Sequence, residues 1–406
     1  MQDYREISEW FAKMPFDHTI ETVASLPGPV FVSGGRHLVS FSTNNYLALA
    51  GSTRLVNAAR RGLERYGVAN CESRLLGGNL EIYDQLESKL AELKGKPSAM
   101  LFATGYLTNL GILSALPGSA LMARVYGFRP KKLRKYVYFT DEFNHTSIRE
   151  GIRMSGVEKV TYKHCDMNQL EAKLKASESK VKIIVSDGVF SMDGDIVPLA
   201  EMLELAERFD AIVYIDDAHG TGVLGEHGGG TTEHFGVKSE RLISMGTLSK
   251  AYGAIGGFIA TEAYITELLR FTCSAYGFTS TLPPDQAFAV CEAIDMVKDE
   301  PERRRNLWDN QKYFIKQMDM LGYRLLSRES AIVPVWIGDE VRCHTVAAAL
   351  RQSGFHVDAV AFPGVARGQS RLRFMMNAGH TREQIDGVVT VMSELQNADL
   401  AQAGAA

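Results

Sequence analysis

Two segments of the sequence contain residue types that could do chemistry. In the first, 215–222, the acids Asp216 and Asp217 end an apolar stretch and His219 follows. A carboxylate at the end of a buried strand is costly without a partner, and a protonated heterocyclic nitrogen would be one. His219 could reach an oxygen on the same ring. The alternative is a helix-capping acid beside a satisfied buried histidine, and this segment alone favours neither.

The second segment, 246–253, places Lys250 among glycines and small residues. Burial in such surroundings lowers the pKa of an amine and makes the neutral form available as a nucleophile. Thr247 lies three residues earlier and could hydrogen-bond a phosphate. A surface lysine in a turn is the ordinary alternative, because Thr-x-x-Lys alone is a weak pattern.

Three further segments offer weaker signals of the same kind. The run 102–109 passes from an apolar strand through Thr104, Gly105 and Tyr106 into a helical pattern, and a helix N-terminus can bind phosphate. His145 follows the strand 136–140 and could stack on a flat ring. Ser191 follows the strand 182–186 and offers a hydroxyl. Plain turns and a surface histidine are common alternatives.

The elements between about residues 55 and 260 explain how these segments could meet. The apolar runs 182–186 and 211–216 are separated by an amphipathic helix at 199–208, which predicts parallel strands with helices on both faces of the sheet. Ligands of such α/β sheets bind at the carboxyl ends of the strands. All five segments follow predicted strands, and together they indicate a site for pyridoxal phosphate (PLP).

The length and the change of pattern predict more than one domain. A chain of 406 residues exceeds the size at which one hydrophobic core usually stops growing. The prolines at 283–284 precede shorter strands and charged helices. We therefore expect an N-terminal segment (1–50), a large cofactor-binding domain (51–284) and a smaller α+β domain (285–406).

Composition excludes several classes of protein. The formal net charge of −4, with scattered cations, gives no field for nucleic acid. No apolar run reaches the roughly 18 residues of a membrane span. The five cysteines are dispersed, without a Cys-x-x-Cys pair, which argues against disulfides and a zinc site. We expect a cytoplasmic enzyme that contains no metal.

Taken together, the motifs identify a family. From Phe41 to about His380 the chain resembles the α-oxoamine synthases, PLP-dependent enzymes of fold type I that include 8-amino-7-oxononanoate synthase, 2-amino-3-ketobutyrate CoA ligase, 5-aminolevulinate synthase and serine palmitoyltransferase. The most specific motifs are SRLLGGN (73–79), DGVFSMDGD (187–195), DDAHGTG (216–222), GTLSKAYG (246–253) and FTSTLPP (278–284).

The resemblance implies a role for each cofactor residue. Lys250 would hold PLP as a Schiff base and act as the general base, and Asp216 would pair with the pyridine nitrogen. The remaining cofactor residues would be His219 and Ser191 at the 3-oxygen, His145 on the ring face, and Thr104, Gly105, Tyr106 and Thr247 at the phosphate. A hydroxyl among residues 279–281, with Ser280 favoured, would reach the phosphate of a second subunit, which implies a homodimer with shared active sites.

The resemblance also implies substrate-binding residues. Arg373 and Asn44 would hold the amino-acid carboxylate, and Arg74 and Asn79 of the SRLLGGN motif would also contact substrate. We expect Arg371, two residues from Arg373, to face the other side of the strand, so that only one of the two arginines points inward.

The implied reaction condenses glycine, alanine or serine with an acyl-CoA, usually with loss of carbon dioxide, and gives an α-amino ketone and free CoA. Another fold type I enzyme, such as an aminotransferase or a lyase, and a non-catalytic subunit are the alternatives. The basic segment 123–135 looks longer than the family's usual connection. It could be a flap for CoA phosphates or an acyl-carrier protein, but a solvated surface loop is the favoured interpretation.

Overall fold

The computed structural model describes residues 1–13, 22–26, 28–129, 131–132, 134–179 and 181–404, with side chains described as far as residue 397. The strands are, in chain order, β1 Val30–Ser33, β2 Arg36–Ser40, β3 Ser98–Phe102, β4 Tyr136–Asp141, β5 Glu158–Tyr162, β6 Val181–Asp187, β7 Ala211–Asp216, β8 Leu242–Thr247, β9 Gly257–Thr261, β10 Ile332–Gly338, β11 Phe355–His356, β12 Asp358–Val360 and β13 Ser370–Met375. The helices are α1 Gln2–Phe11, α2 Thr53–Tyr66, α3 Glu81–Lys94, α4 Gly105–Ala123, α5 Thr146–Ser155, α6 Met167–Ala176, α7 Leu199–Arg208, α8 Thr231–His234, α9 Ala263–Thr272, α10 Ser274–Gly277, α11 Pro284–Asp299, α12 Pro301–Met320, α13 Glu340–Gln352 and α14 Arg382–Gly404.

A seven-stranded sheet with the order β3-β9-β8-β7-β6-β4-β5 forms the centre of the fold. The pairs β5–β4, β4–β6, β6–β7 and β7–β8 are parallel, whereas β9 lies antiparallel between β8 and β3. The expected α/β fold with a mainly parallel sheet is confirmed. The reversal of β9 follows from its short connection to β8, since parallel neighbours need a longer crossover.

The helices cover the sheet as the sequence patterns predict. Helix α7 has the bounds expected from its apolar spacing, and it buries Leu199, Met202, Leu205 and Ala206 at positions that share one helical face. On the opposite face, α4, α9 and α10 pack together, and α4 packs against α5. Apolar side chains on both faces of the sheet form two of the main core clusters.

The two ends of the chain form smaller sheets. Strands β10, β13 and β12 make an antiparallel sheet, whereas β1 and β2 pair with β11 from the C-terminal part. Helix α11, which begins at Pro284, packs against α2 and α3. The N-terminal strands thus pair with the C-terminal region, and the domain boundaries near residues 50 and 284 stay predictions.

Candidate active site

The carboxyl ends of neighbouring strands bring the candidate residues together. Asp216 ends β7 directly beside Asp187, which ends β6. Thr247 ends β8, and Lys250 lies in the turn that follows. Gly105 opens α4 after β3, and His145 caps α5 after β4. Five separate segments of the sequence therefore meet at one edge of the sheet, as the sequence predicts.

The surroundings of Lys250 favour its neutral amine. Burial lowers the pKa of the Lys250 amine from 10.5 to about 8, although the Asp216 and Asp187 carboxylates act in the opposite direction. The turn is held by Gly253, where a Cβ would lie 2.5 Å from the backbone nitrogen of Ala50 and where φ is +62°. The Lys250 amine can therefore lose its proton near pH 8, as a nucleophile or a base requires.

His219 is a buried histidine whose surroundings favour the neutral ring. Burial lowers its pKa well below the usual range, and the cations Lys250 and Arg373 lower it further. The Tyr46 hydroxyl lies 2.7 Å from His219 Nδ1, and burial raises the Tyr46 pKa so that the phenol keeps its proton. A phenol hydroxyl both donates and accepts, and the tautomer in which Tyr46 donates to Nδ1 leaves Nε2–H as the donor that His219 can offer to a ligand oxygen.

His145 lies in the loop between β4 and α5. Its backbone N–H donates to Asp187 Oδ2 at 2.8 Å, and its Nδ1 lies 2.7 Å from Ser147 Oγ. Burial lowers the pKa of the His145 ring, with the Asp216 carboxylate acting against the shift. A neutral imidazole with one edge fixed in this way suits stacking on a flat ring.

The N-terminus of α4 provides a cradle for an anion. Thr104 is the N-cap, and its hydroxyl accepts a hydrogen bond from Leu107 N at 3.1 Å. A Cβ on Gly105 would lie 3.0 Å from Thr247 Oγ1, and a Cβ on Gly257 would lie 2.6 Å from Gly105 Cα. These glycines allow Thr247 and the first turn of α4 to come close together, and the free N–H groups of that turn suit a phosphate.

Arg373 and Asn44 supply polar atoms without partners. Arg373 pairs with Asp358 Oδ2 at 2.7 Å and donates to the carbonyl of Ser191 at 3.3 Å. Among the residues that the structure describes, Arg373 Nε and Asn44 Oδ1 are buried with no hydrogen-bond partner. Unpartnered buried polar atoms are rare in folded proteins, and a bound substrate would supply what these two lack.

The expectation that Arg371 faces away from Arg373 is wrong. Side chains alternate along a strand with a period of two, so that residues 371 and 373 share one face of β13. Arg371 pairs with Asp193 at 2.5 Å and donates to the carbonyl of Met192. Both arginines contact the loop 191–193, but Arg371 is buried by its ion pair.

Arg74 and Asn79 belong to an internal network outside this group. The Arg74 side chain is 1% exposed and pairs with Glu87 and with Asp84. Its Nε donates to Asn79 Oδ1 at 2.7 Å. Burial lowers the pKa of Arg74, but Glu87 outweighs it and raises the value. The structure thus gives Arg74 a buried structural role and leaves Asn79 exposed beside it, and their contact with substrate stays a prediction.

Two further predicted segments contain exposed residues. Ser280 is exposed at the surface, whereas the neighbouring Thr281 hydroxyl is buried without a partner in the described part of the chain. The described part of the basic segment 123–135 lies beside Tyr136 and Val181, which begin β4 and β6. That edge of the sheet is opposite to the one where Lys250 lies.

Four residues at the site had no role in the sequence interpretation. Asp187, Asn109, Tyr46 and Ser147 each contact a predicted site residue. Asp187 follows the strand 182–186 directly, so that its position could have been used. Asn109, Tyr46 and Ser147 carry no comparable signal, since their contacts depend on how separate segments pack.

Other acids and histidines form structural pairs. His164 bonds to Asp141 at 3.1 Å and to Asp195 at 2.5 Å. Burial alone would lower the His164 pKa, but these two acids raise it to about 12.

None of the helices among the described residues combines the length and the apolar character that a membrane span requires.

The residues at the strand ends match the chemical groups of PLP. The amine with a lowered pKa suits the aldehyde of PLP, and the buried carboxylate suits its pyridine nitrogen. The neutral imidazole suits the face of the ring, and the cradle at the start of α4 suits the phosphate. The family model "Aminotransferase class I and II" matches residues 36–392. The chain belongs to this family of PLP-dependent enzymes.

Comparisons with known proteins identify the branch. The 8-amino-7-oxononanoate synthase of Alkaliphilus oremlandii is 40% identical over 90% of this chain and 89% of its own length. That of Bacillus subtilis is 36% identical over 94% of each chain. Serine palmitoyltransferase of Sphingomonas wittichii superposes with a TM-score of 0.88, at 28% identity, over 98% of this chain and 97% of its own.

A further structure bears on the cofactor. Serine palmitoyltransferase from S. paucimobilis, solved with bound PLP and myriocin, has a TM-score of 0.87 at 28% identity over 98% of this chain and 97% of its own. The resemblance to the α-oxoamine synthases is therefore confirmed. The protein is a PLP-dependent acyltransferase that joins an amino acid to an acyl thioester.

Proposed function

We propose that this α-oxoamine synthase condenses glycine, alanine or serine with an acyl-CoA, releases carbon dioxide and CoA, and forms an α-amino ketone. The observation that carries the proposal is the combination of two features at one site. Lys250 has a pKa of about 8, and Arg373 lies close enough to influence it, with a buried Nε that lacks a partner in the described residues. A base thus lies beside a carboxylate-binding cation.

PLP, when bound, supplies an electron sink for the electron pair left when the α-proton leaves the amino acid. Asp216 would hold the pyridine nitrogen, and His219 Nε2–H and Ser191 would hold the 3-oxygen. His145 would cover one ring face. Thr104, Gly105, Tyr106 and Thr247 would bind the phosphate through the first turn of α4.

The other roles concern the amino acid and the proton. Arg373 would bind the carboxylate through its planar guanidinium, with Asn44 beside it. Lys250 Nζ would accept the α-proton, because its neutral form is accessible near pH 8.

We propose a homodimer in which Ser280 reaches the phosphate site of the second subunit. The support is a pair of exposed apolar side chains on neighbouring segments: Phe278 is 82% exposed and Leu76 is 76% exposed, and a Cβ on Gly277 would lie 2.6 Å from Leu75 Cδ1. Large exposed apolar side chains in one region are typical of a contact surface. Asn79 is exposed three residues after Leu76, and in the dimer Asn79 and the Arg74 side chain that donates to it would contact substrate.

For the thioester donor we favour CoA over an acyl-carrier protein. The described part of segment 123–135 lies at the sheet edge opposite Lys250, which supports its interpretation as a surface loop. We also propose a cytoplasmic location, with the five free cysteines as support.

The proposal is tested by incubating the purified protein with each of the three amino acids and a panel of acyl-CoAs from acetyl to long chain. We expect free thiol and carbon dioxide to appear together for at least one pair. An aminotransferase would convert the amino acid without releasing thiol, and that result would contradict the proposal. A non-catalytic subunit would give neither product with any pair. The acyl chain that reacts identifies the substrate class.

A further inference from the structure

Asn109 occupies a central position beneath the candidate active site. It lies on α4, one turn after Gly105, and is 1% exposed. Its Nδ2 donates to Asp216 Oδ2 at 2.6 Å and to Ser147 Oγ at 2.8 Å. Its Oδ1 accepts a hydrogen bond from the Tyr214 hydroxyl at 2.7 Å. One amide side chain therefore connects α4 to three buried polar groups, two of them on β7 and one on α5.

The orientation of this amide follows from Asp216. A carboxylate oxygen accepts hydrogen bonds, so the amide nitrogen of Asn109 must face Asp216 Oδ2. The amide oxygen then faces the Tyr214 hydroxyl, which donates to it. Burial raises the pKa of the Tyr214 phenol well above its usual range, with the Asp216 carboxylate adding to the shift, so the phenol keeps the proton that it donates.

The same chain of hydrogen bonds continues to His145. Ser147 Oγ accepts from Asn109, so its own proton is available for His145 Nδ1 at 2.7 Å. The backbone N–H of Ser147 lies 3.3 Å from the same ring nitrogen, and an N–H can only donate. Nδ1 of His145 is therefore an acceptor, and the proton of the neutral imidazole lies on Nε2.

We propose that Asn109 is a positioning residue that holds the Asp216 carboxylate directly and the His145 imidazole through Ser147, so that the groups for the pyridine nitrogen and for the ring face keep one fixed arrangement. The inference rests on the proposed function, since it assumes that Asp216 and His145 face PLP. It adds a residue that does not itself touch the cofactor. Tyr214 contributes by donating to the amide oxygen that faces away from Asp216.

Asn109→Asp tests the proposal with little change of volume. Aspartate cannot supply the two N–H groups, so we expect the dissociation constant for PLP to rise about tenfold to hundredfold, as for the loss of hydrogen bonds to a charged group. We also expect the pH dependence of the visible absorption of bound PLP to shift. Both readouts are measured on folded holoenzyme, by titration and by spectrophotometry, without amino acid or acyl-CoA.

Asn310→Asp is the matched control. Asn310 is also a buried asparagine, 7% exposed, and its Nδ2 donates to the carbonyls of Asn377 and His380. We expect this variant to lower Tm but to keep the wild-type PLP dissociation constant and pH profile. Equal changes in both variants, or wild-type values in Asn109→Asp, would overturn the proposal.

A second measurement decides the case if Asn109→Asp does not fold. Nitrogen-15 NMR of the histidine-labelled wild type should show His145 with Nε2 protonated and Nδ1 unprotonated, and Ser147→Ala assigns the signal by its shift. A proton on Nδ1 would overturn the proposal. Failure of the condensation assay with wild-type protein would instead remove the proposed function and leave these readouts unchanged.

Discussion

Replacing Arg373 by alanine is expected to weaken the binding of the amino acid much more than that of acyl-CoA. The structure gives Arg373 one ion pair, with Asp358, and leaves Nε buried without a partner in the described residues. Two charge-assisted hydrogen bonds to a carboxylate contribute about 1.5 kcal/mol each. Their loss corresponds to a rise of about 100-fold in the KM for the amino acid.

Arg371→Ala provides the matched control on the same face of β13. Arg371 is buried in its ion pair with Asp193, so its loss should lower the free energy of unfolding by about 3 kcal/mol. The KM for the amino acid should stay close to that of the wild type.

The assay measures thiol release while one substrate is varied at a saturating level of the other. Arg373→Lys should recover only part of the loss, because a lysine does not offer the planar pair of donors. Equal increases in KM for both substrates in Arg373→Ala would refute the carboxylate role. A larger effect of Arg371→Ala on amino-acid KM would refute the assignment of the two arginines.

Three further predictions follow from buried charges. In the apoprotein, labelling of Lys250 by an amine-reactive sulfonate, measured by peptide mapping, should increase with pH. It should reach half its maximum near pH 8, because burial lowers the pKa of Lys250 to about 8, and a midpoint near 10.5 would contradict this. Lys94→Met should lower the free energy of unfolding in urea by about 3–5 kcal/mol, because it leaves the buried Asp217 carboxylate without its cation. Lys89→Met, which removes the half-exposed pair with Asp295, should lower it by less than about 1 kcal/mol, and equal losses in the two variants would contradict the prediction. Burial lowers the pKa of His380 to about 4, below its unfolded value near 6.5. The neutral ring therefore stabilises the folded state fully above pH 6.5, and the free energy of unfolding falls by about 3 kcal/mol as the pH drops to 4. A His380→Gln variant with the same pH dependence of stability as the wild type would contradict this.

The sequence predicted the centre of the fold well because its strands are buried on both faces. Strand β7 and helix α7 have the bounds that the apolar pattern indicates. The polar residues at or after the ends of such strands indicated Asp216, Lys250 and His145, which the structure brings to one edge of the sheet, and their catalytic roles stay predictions. In this region local pattern and tertiary position agree, since every parallel strand delivers its next residues to the same edge.

Long-range pairing was not accessible from local pattern. Strands β1 and β2 join β11, whose residues lie more than 300 positions later in the chain, and nothing in residues 30–40 indicates that partner. The same limit applies to the contact of Asn109 with Asp216 and to that of Tyr46 with His219. A single polar residue on a helix or loop has no periodic signal, and its role depends on which segments pack beside it.

The expectation that Arg371 and Arg373 face opposite sides of the strand was wrong for a different reason. The strand predicted at 371–375 is present as β13, but residues two positions apart were assigned to opposite faces of it. Since alternate residues share a face, the pattern itself required both arginines to point toward the loop 191–193. What distinguishes them is their acidic partners, Asp193 for one and Asp358 for the other.

The central claim is that Lys250 carries the cofactor at the meeting point of the strand ends. The direct measurement is borohydride reduction of the PLP-loaded protein, followed by proteolysis and mass mapping of the modified lysine. We expect the pyridoxyl mass on the peptide that contains Lys250 and its absence in Lys250→Ala. Modification of a different lysine, such as Lys94 or Lys96, with Lys250 unmodified, would contradict the account.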